Sequence, residues 1–190
     1  MIIVTNSMSL DGVIQAPGRA DEDTRDGFTH GGWARPYADE VMGAEMGKGM
    51  GRPGVLLFGR RTYEALAAFW PHQTDGNPYT EVLNNTRKYV VSTTLTEPLP
   101  WQNSTLIGED VVATVSKLKE QPGDIAILGS GALVRSLMPH ALIDEYVLLI
   151  HPLTLGSGER LFPANSSVQL KLISSVLTTT GVIIARYQPA

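Results

Sequence analysis

The stretch Ile125-Ala126-Ile127-Leu128-Gly129-Ser130-Gly131-Ala132-Leu133 decides the fold that we expect of this chain. Its first four residues have the apolar character of a buried strand, and a helix is predicted from Leu133 to Met138 after the glycine turn. Glycines at 129 and 131 let a ligand approach the backbone, and the first N–H groups of a helix attract a phosphate. The same spacing fits a tight turn that binds nothing, so both interpretations stay open.

Strand and helix patterns alternate on both sides of this stretch. Such alternation predicts an α/β fold with right-handed crossovers and a largely parallel sheet. Near the carboxyl end the strands follow one another without helices, which predicts antiparallel strands, the last two forming a hairpin around Thr180-Gly181. The predicted strands span residues 2–8, 55–58, 88–92, 125–128, 146–151, 169–176 and 182–188, and the predicted helices span 33–50, 59–69, 111–120 and 133–138.

A second strand-to-helix junction reads Gly59-Arg60-Arg61-Thr62. Arginines at a helix start oppose the helix dipole, so a bound anion would resolve the conflict. A solvated basic pair is the alternative interpretation. Ser92-Thr93-Thr94 adds hydroxyl groups after a third strand. Because parallel strands end at the same edge of a sheet, we expect these junctions to lie together.

The polar, glycine-rich segment from Gln15 to Gly32 predicts a long solvated loop, and loops of this length often act as lids. Asp11 precedes this segment and could contact a substrate. Its Asp-Gly turn could equally use the carboxylate to bond its own backbone. Trp33 lies beside the predicted lid and could stack on a flat heterocycle or belong to the core.

Other kinds of site find little support in the sequence. The stretch Gly49-Met50-Gly51-Arg52-Pro53-Gly54 matches the glycine pattern of dinucleotide-binding folds. It precedes a strand instead of following one, and a proline stands where the helix should begin, so we interpret it as a flexible connector. The four histidines are scattered along the chain, which argues against a metal site.

The composition is that of one ordinary globular domain over residues 1–190. The chain is 43% hydrophobic and 18% charged, far from the composition of disordered proteins. A net charge of −4 without a basic run argues against nucleic acid and anionic membranes, so we expect a small-molecule partner. The lack of cysteine excludes disulfides, thiolate nucleophiles and cysteine-ligated zinc. With no signal segment and no long apolar run, a cytoplasmic location is expected.

Short motifs spread along nearly the whole chain occur in the order of one known group of reductases. Four of these motifs are Ser9-Leu10-Asp11-Gly12, the run from Gly59 to Glu64, Val90-Val91-Ser92-Thr93 and the run from Gly129 to Leu133. The more specific set is Leu142-Ile143-Asp144-Glu145, His151-Pro152, Leu155-Gly156-Ser157-Gly158 and Leu161-Phe162. The chain thereby resembles the dihydrofolate reductase superfamily, and more closely its branch related to the carboxyl-terminal reductase domain of bifunctional riboflavin-biosynthesis proteins.

This resemblance implies a dihydrofolate-reductase-like three-layer fold, with helices on both faces of the sheet, and a homodimer. It also implies NADPH as the cofactor, with residues 129–133 around the pyrophosphate and the nicotinamide side. Paired arginines and hydroxyls suit an extra phosphate, so the residues themselves also favour NADPH over NADH. The groups implied around the adenosine 2′-phosphate are Arg60, Arg61, Ser92 and Thr93, with Thr62 near the pyrophosphate.

Dihydrofolate reductases carry an acidic residue on the helix after the first loop, and Asp39 or Glu40 lies in the comparable stretch. Asp39 is therefore the candidate proton donor, with a solvated carboxylate at a helix start as the alternative. Two departures bear on the substrate: the strand 146–150 lacks the family's Thr, and Leu128 replaces the Glu of the pyrimidine reductases.

Two hypotheses about function follow from these residues. The first is an NADPH-dependent reductase of a pterin-like or pyrimidine-like heterocycle. The second is a non-catalytic NADPH-binding or sensor protein that keeps the cofactor site, and the leucines at 128 and 148 motivate it.

Overall fold

The computed structural model describes residues 1–49, 54–74, 76–164 and 166–190, which form an eight-stranded sheet and five α-helices. The strands are β1 (Ile2–Ser9), β2 (Gly54–Gly59), β3 (Lys88–Val91), β4 (Ser104–Ile107), β5 (Asp124–Leu128), β6 (Glu145–His151), β7 (Leu170–Leu177) and β8 (Ile183–Pro189). The helices are α1 (Glu40–Gly47), α2 (Arg60–Ala67), α3 (Pro78–Asn85), α4 (Val111–Lys119) and α5 (Gly131–Leu137).

The sheet has the strand order β4-β3-β2-β5-β1-β6-β8-β7. Every pairing from β4 to β6 is parallel, whereas β8 is antiparallel to both β6 and β7. The predicted α/β fold, with a mostly parallel sheet and an antiparallel carboxyl-terminal hairpin, is confirmed. The carboxyl ends of the parallel strands meet at one edge, which is where ligands bind in open α/β sheets.

Helices cover both faces of the sheet, as predicted. On one face α4 and α5 bury Val115, Val134 and Leu137 against the inner strands. On the other face α2 and α3 pack over β2 and β3, mainly through aromatic and leucine side chains. Further along that second face, α1 packs over β6 and β8 through Met42 and Met46. Thus α1 and α2 lie on the same side of the sheet, over different strands.

The antiparallel pairing predicted for the carboxyl-terminal strands is confirmed by β8 with β6 and β7, but the strand predicted at 146–151 also has a parallel neighbour. This strand is β6, and it pairs in parallel with β1, from Ile3 opposite Glu145 to Ser9 opposite His151. The reason is the connection, because α5 lies between β5 and β6 and returns the chain to the starting edge of the sheet. Antiparallel pairing begins only with β8.

Two elements of the sheet's outer half were not predicted. Helix α3 begins at Pro78, and the side chain of Asn77 caps it by accepting a hydrogen bond from the Tyr79 amide at 2.9 Å. Strand β4 has only four residues and lies at the sheet edge. Asn77 and Pro78 are typical start signals of a helix, but Asn and Pro are equally common in loops.

The predicted helix from Trp33 to Met50 is replaced by a 3₁₀ turn at Arg35–Tyr37 and the shorter α1. The chain is extended at Ala38 and Asp39, so the helix cannot run through them. The predicted connector between 49 and 54 has its central residues, 50–53, outside the described part of the chain.

Candidate functional site

The two predicted phosphate-binding junctions lie side by side and are joined by hydrogen bonds. They follow the neighbouring strands β2 and β5. The Gly59 amide donates to Ser130 Oγ at 3.0 Å, and the Ser130 amide donates to Thr62 Oγ1 at 3.1 Å. The buried side chain of Leu133 lies next to Gly59, while Ala132 is exposed. The structure therefore brings these sequence-predicted residues into one loop pair.

The turn between β5 and α5 is left-handed at two consecutive residues. Gly129 has a φ of 66° and Ser130 a φ of 57°. Space does not require the glycine, since a Cβ at position 129 would lie 3.5 Å from Thr62, an ordinary contact. The backbone angle requires it. Ser130 tolerates the same region because its side chain and its amide are both bonded to the facing junction.

Arg60 and Arg61 begin α2 with their side chains directed to solvent. The Arg60 guanidinium lies 3.7 Å from Glu64 and is 42% exposed, so this ion pair is weak. Arg61 is exposed, and its charge adds to the lowering of the Asp23 pKa, whose main cause is a hydrogen bond from Arg25. Two guanidiniums thus remain available at a helix start, where a cation is disfavoured.

Ser92 and Thr93 follow β3 beside these arginines. Since Gly59 pairs with Val91, the chain leaves β2 into Arg60 and β3 into Ser92 at the same edge of the sheet. Ser92 is buried, and its Oγ accepts hydrogen bonds from the amides of Thr94 and Leu95 at 3.1 and 3.0 Å. Ser92 therefore shapes the turn, and the exposed Thr93 is the residue whose hydroxyl faces solvent.

The segment predicted as a long solvated loop is anchored to the sheet edge. Val13, Ala16, Phe28 and Trp33 form a small buried cluster of their own. Arg25 donates to Asp23 at 2.8 Å and contacts Glu159 at 3.2 Å, on the loop after β6. The segment is a loop, as predicted, but it is only partly solvated, because its polar residues are interleaved with apolar ones that join this cluster.

Ile14, the residue just before this segment, covers Gly131 at the start of α5. Gly131 is buried because the side chain of Ile14 lies against it, so closely that a Cβ at position 131 would collide with Ile14 Cδ1. The start of α5 is therefore covered by Ile14 on one side and bonded to the β2–α2 junction through Ser130.

Asp11 ties the first turn to the loop after β6. Its carboxylate accepts hydrogen bonds from Ser9 Oγ at 2.6 Å and from the amides of Leu155 and Gly156 at 3.1 and 2.8 Å. These bonds, that of Ser9 foremost, lower the pKa of Asp11 to about 2. A carboxylate used in this way favours the structural interpretation, and a contact of Asp11 with substrate stays a prediction.

Trp33 is buried and donates from Nε1 to the carbonyl oxygen of Gln15 at 2.7 Å. Its ring meets the His151 ring edge-on, with the centroids 5.1 Å apart. Trp33 is therefore a core residue of the lid segment in this conformation, and stacking on a substrate stays a prediction.

Asp39 is the N-cap of α1. One carboxylate oxygen accepts from the Met42 amide at 2.8 Å, and the other accepts from the amide and hydroxyl of Thr179 at 2.7 and 2.6 Å and from the Thr180 amide at 3.3 Å. These bonds, led by that of the Thr179 hydroxyl, lower the Asp39 pKa. A lowered pKa makes a poor proton donor near neutral pH, so the contacts favour the capping role, and catalysis by Asp39 stays a prediction.

Sequence reasoning missed two hydroxyl residues in the middle of the sheet. Thr5 and Ser7 alternate along β1 with the buried Val4 and Asn6, so they point to the face that carries α1 and α2. Both are only half-buried, and within the described residues neither hydroxyl has a hydrogen-bond partner. We call this stretch of β1 the hydroxyl strip. The sequence feature that could have revealed them is the presence of hydroxyl side chains at alternate positions of a predicted strand.

His151 was also missed. It ends β6 opposite Ser9, is fully buried between Trp33 and Tyr37, and has no hydrogen-bond partner on either ring nitrogen among the described residues. Burial lowers the pKa of His151 to about 4, so the ring is neutral near pH 7. It packs the lid segment onto the sheet edge without adding charge there.

Comparisons with known proteins agree with this architecture. The family described as RibD C-terminal domain matches residues 1–184. "Uncharacterized protein YyaP" of Bacillus subtilis strain 168 is 29% identical over 134 residues, which covers 68% of this chain and 70% of that protein. "Uncharacterized protein YwjB" of the same strain is 31% identical over 109 residues, covering 57% and 58%.

A solved structure is also similar. The crystal structure of a "Putative riboflavin biosynthesis protein" from Shewanella sp. PV-4 superposes with a TM-score of 0.68 at 23% identity, covering 100% of this chain and 98% of that one. At this identity the likeness shows a shared fold. In the described ranges, no helix has the length and apolar character needed to cross a membrane.

Proposed function

The chain belongs to the RibD C-terminal domain family, and from this premise we propose that it is an NADPH-dependent reductase of a small heterocycle. Membership supports a reductase-like role at the level of the family. NADPH as the hydride donor and a pterin-like or pyrimidine-like acceptor are the finer parts of the proposal.

The observation that carries the proposal is the pair of hydrogen bonds between the β2–α2 and β5–α5 junctions. These bonds bring the starts of α2 and α5 together beside the exposed guanidiniums of Arg60 and Arg61. Arg60 and Arg61 at a helix start are unfavourable for the isolated fold and favourable once an anion binds. The residues present therefore fit a phosphorylated dinucleotide.

Each group has a role in holding NADPH. Arg60, Arg61 and the hydroxyl of Thr93 would bind the 2′-phosphate, and the amides at the start of α5, after Ser130, would bind the pyrophosphate. Gly129 provides the left-handed backbone of the turn that would face the nicotinamide side. When bound, NADPH supplies the hydride, and the protein supplies binding, orientation and the exclusion of water.

The hydroxyl strip is the part of the site that faces a substrate in this proposal. Thr5 and Ser7 lie on the central strand, next to the end of β5, and their hydroxyls can both donate and accept hydrogen bonds. Such groups suit the neutral carbonyl and N–H edges of a pterin or pyrimidine. The lid segment, anchored through His151 and Arg25, would keep water from this surface.

Titration of the purified protein with NADPH and with NADH, followed by nicotinamide fluorescence, tests the cofactor. We expect tight binding of NADPH and weak binding of NADH. Equal affinity, or no binding of either, would refute the proposal. Oxidation of bound NADPH on addition of pterins, quinones or ribosylaminopyrimidines then tests for a reductase.

The second candidate is a non-catalytic NADPH-binding or sensor protein. The bonding of Asp39 favours it, because the predicted proton donor is held as an anion by α1 and the β7–β8 turn. Tight NADPH binding without turnover on any acceptor in the panel would support this candidate. Turnover on one of them would exclude it.

A further inference from the structure

Three side chains carry buried polar atoms that have no hydrogen-bond partner among the described residues. They belong to Asn6, Ser104 and His151. In Asn6 the atom is the amide nitrogen Nδ2, which is a hydrogen-bond donor. An unpaired buried polar atom is unfavourable for the fold, so each one calls for a further partner or a functional reason.

Of the three, Asn6 is the one that lies beside a predicted cofactor junction. Ser104 lies on the edge strand β4, and His151 is enclosed by two aromatic rings. Asn6 directly follows Thr5, whose carbonyl oxygen accepts a hydrogen bond from the Gly129 amide at 3.0 Å. The backbone that carries Asn6 is therefore bonded to the glycine turn after β5.

The side chain of Asn6 points to the face of the sheet that carries α5. Side chains alternate along a strand, so Asn6 shares a face with Val4 and Met8, which pack in the core under α4 and α5. Ile14, which lies against Gly131, packs in the same core. Asn6 is only 4% exposed. A neutral donor is thus withdrawn from water on the side of β1 that faces α5.

The order of the strands relates Asn6 to one end of a bound dinucleotide. The arginines proposed for the 2′-phosphate follow β2, and Thr93 follows β3. In the order β3-β2-β5-β1, with neighbouring strands about 4.8 Å apart, β1 lies about 14 Å from β3. NADPH carries its nicotinamide at the opposite end from the 2′-phosphate. A cofactor that crosses β5 therefore presents its nicotinamide end to β1.

The chemistry of this end of NADPH matches a neutral side-chain amide. Asn6 has no charge to offer a phosphate, but its amide has both donor and acceptor groups. The carboxamide of the nicotinamide ring has the same two kinds of group, so the two amides can pair with each other. We propose that Asn6 binds the carboxamide of the nicotinamide, an inference that rests on the proposed function and deepens it. Because Thr5 and Ser7 flank Asn6, this pairing holds the hydride-carrying end at the strand of the hydroxyl strip.

Isothermal titration calorimetry with three ligands tests this proposal. They are NADP⁺, its 3-acetylpyridine analogue, in which a methyl group replaces the carboxamide NH₂, and adenosine 2′,5′-bisphosphate, which lacks the nicotinamide. Asn6→Leu should bind NADP⁺ about 10-fold more weakly than the wild type and the bisphosphate equally well. The wild type should bind the analogue about 5-fold more weakly than NADP⁺. Ser104→Ala, which removes the buried hydroxyl on β4, is the matched control and should bind all three ligands as the wild type does.

Urea denaturation without ligand separates a binding role from a structural one. Asn6→Leu should be at least as stable as the wild type, because it removes a buried amide nitrogen that has no partner in the described chain. A loss of stability with unchanged NADP⁺ affinity would show a structural amide and overturn the inference.

The bisphosphate distinguishes failure of this inference from failure of the proposed function. If Asn6→Leu loses affinity equally for NADP⁺ and the bisphosphate, the assignment to the carboxamide is overturned while the cofactor site stands. A wild type that binds neither ligand would refute the proposed function, and this inference with it. If Asn6→Leu does not fold, the wild type decides, since equal affinity for NADP⁺ and the acetylpyridine analogue would overturn the inference.

Discussion

The hydroxyl of Thr62 accepts a hydrogen bond from the backbone amide of Ser130 at 3.1 Å, joining two helix starts that are 68 residues apart in the chain. Thr62→Val leaves that amide without its partner, so we expect NADPH affinity to fall roughly 5-fold to 10-fold. Thr62→Ser keeps the hydroxyl and should bind almost as the wild type does. An equal loss of affinity in both variants would contradict this account, because Thr62→Ser keeps the bond.

The arginine pair should determine the choice between the two nicotinamide cofactors. Replacing Arg60 and Arg61 by Ala removes charge-assisted bonds to a 2′-phosphate, so NADPH affinity should fall roughly 10-fold or more while NADH affinity stays unchanged. Arg87→Ala is the control, since Arg87 is an exposed arginine directly before β3, at the opposite edge of the sheet. A parallel loss of NADH binding would contradict the assignment.

The contact between Ile14 and Gly131 should couple the lid segment to α5. Gly131→Ala pushes a methyl group into Ile14, and we expect a loss of about 1–3 kcal/mol in the free energy of unfolding. Adding Ile14→Ala removes the collision, so the double variant should lose less than the sum of the single losses. Urea denaturation of all four proteins measures the difference. If the losses in the free energy of unfolding are strictly additive, Ile14 and Gly131 are not energetically coupled.

Lys88 should be one of the most sensitive positions in the fold. It is fully buried, and its Nζ donates to the carbonyls of Asn84, Thr86 and Gln102 at 3.0, 2.7 and 3.2 Å. Lys88→Met leaves three acceptors unpaired, so we expect a loss of about 2–4 kcal/mol in urea denaturation. The exposed Lys117→Met is the control.

The same lysine should leave a signature at alkaline pH. Burial lowers the pKa of Lys88 to about 8 from its ordinary 10.5, so the folded state releases this proton first. Between pH 8 and 10.5 the unfolded chain holds this proton and the folded chain does not, so the free energy of unfolding should increase as the pH rises. Lys88→Met should lack that increase. If the wild type and Lys88→Met show the same increase with pH, the increase comes from other titratable groups.

His151 should make the fold sensitive to mild acid. Its pKa is lowered to about 4 from 6.5, so the unfolded chain takes up this proton first as the pH falls. As the pH falls from 6.5 to about 4, the free energy of unfolding should decrease by about 3 kcal/mol. His151→Phe keeps an aromatic ring at this position and should remove the decrease. The pKa of Asp11 is about 2, so its effect belongs to lower pH. An unchanged slope in His151→Phe would refute this account.

Strong local patterns made the centre of the fold predictable. The apolar run 125–128 and its glycine turn gave β5 and the start of α5, and the apolar run 55–58 followed by Gly59 gave β2 and the helix after it. Both junctions were expected at one edge, because parallel strands end together. That each would bond the other through Thr62 and Ser130 was not predictable, since such contacts depend on the exact register of β2 and β5.

The prediction and the structure differ where contacts between distant parts of the chain determine the role of a side chain. Asp11 and Asp39 carry the signature of exposed carboxylates, yet their partners lie more than 100 residues away, at Leu155 and Thr179. No local pattern contains that information. His151 looked like one of four scattered histidines until the fold placed it between two aromatic rings. The two strand-to-helix junctions were predictable because their signal lies in neighbouring residues of the sequence, and their role in holding a cofactor stays a prediction.

The carboxylate of Asp39 has a consequence beyond capping. It holds the first turn of α1 through Met42 and the tip of the β7–β8 hairpin through Thr179 and Thr180. Since α1 packs over β6 and β8 through Met42 and Met46, it cannot shift along the sheet unless the hairpin tip moves with it or these bonds break. The first α-helix and the last hairpin of the chain are thereby held as one rigid unit, although Asp39 and Thr179 are 140 positions apart.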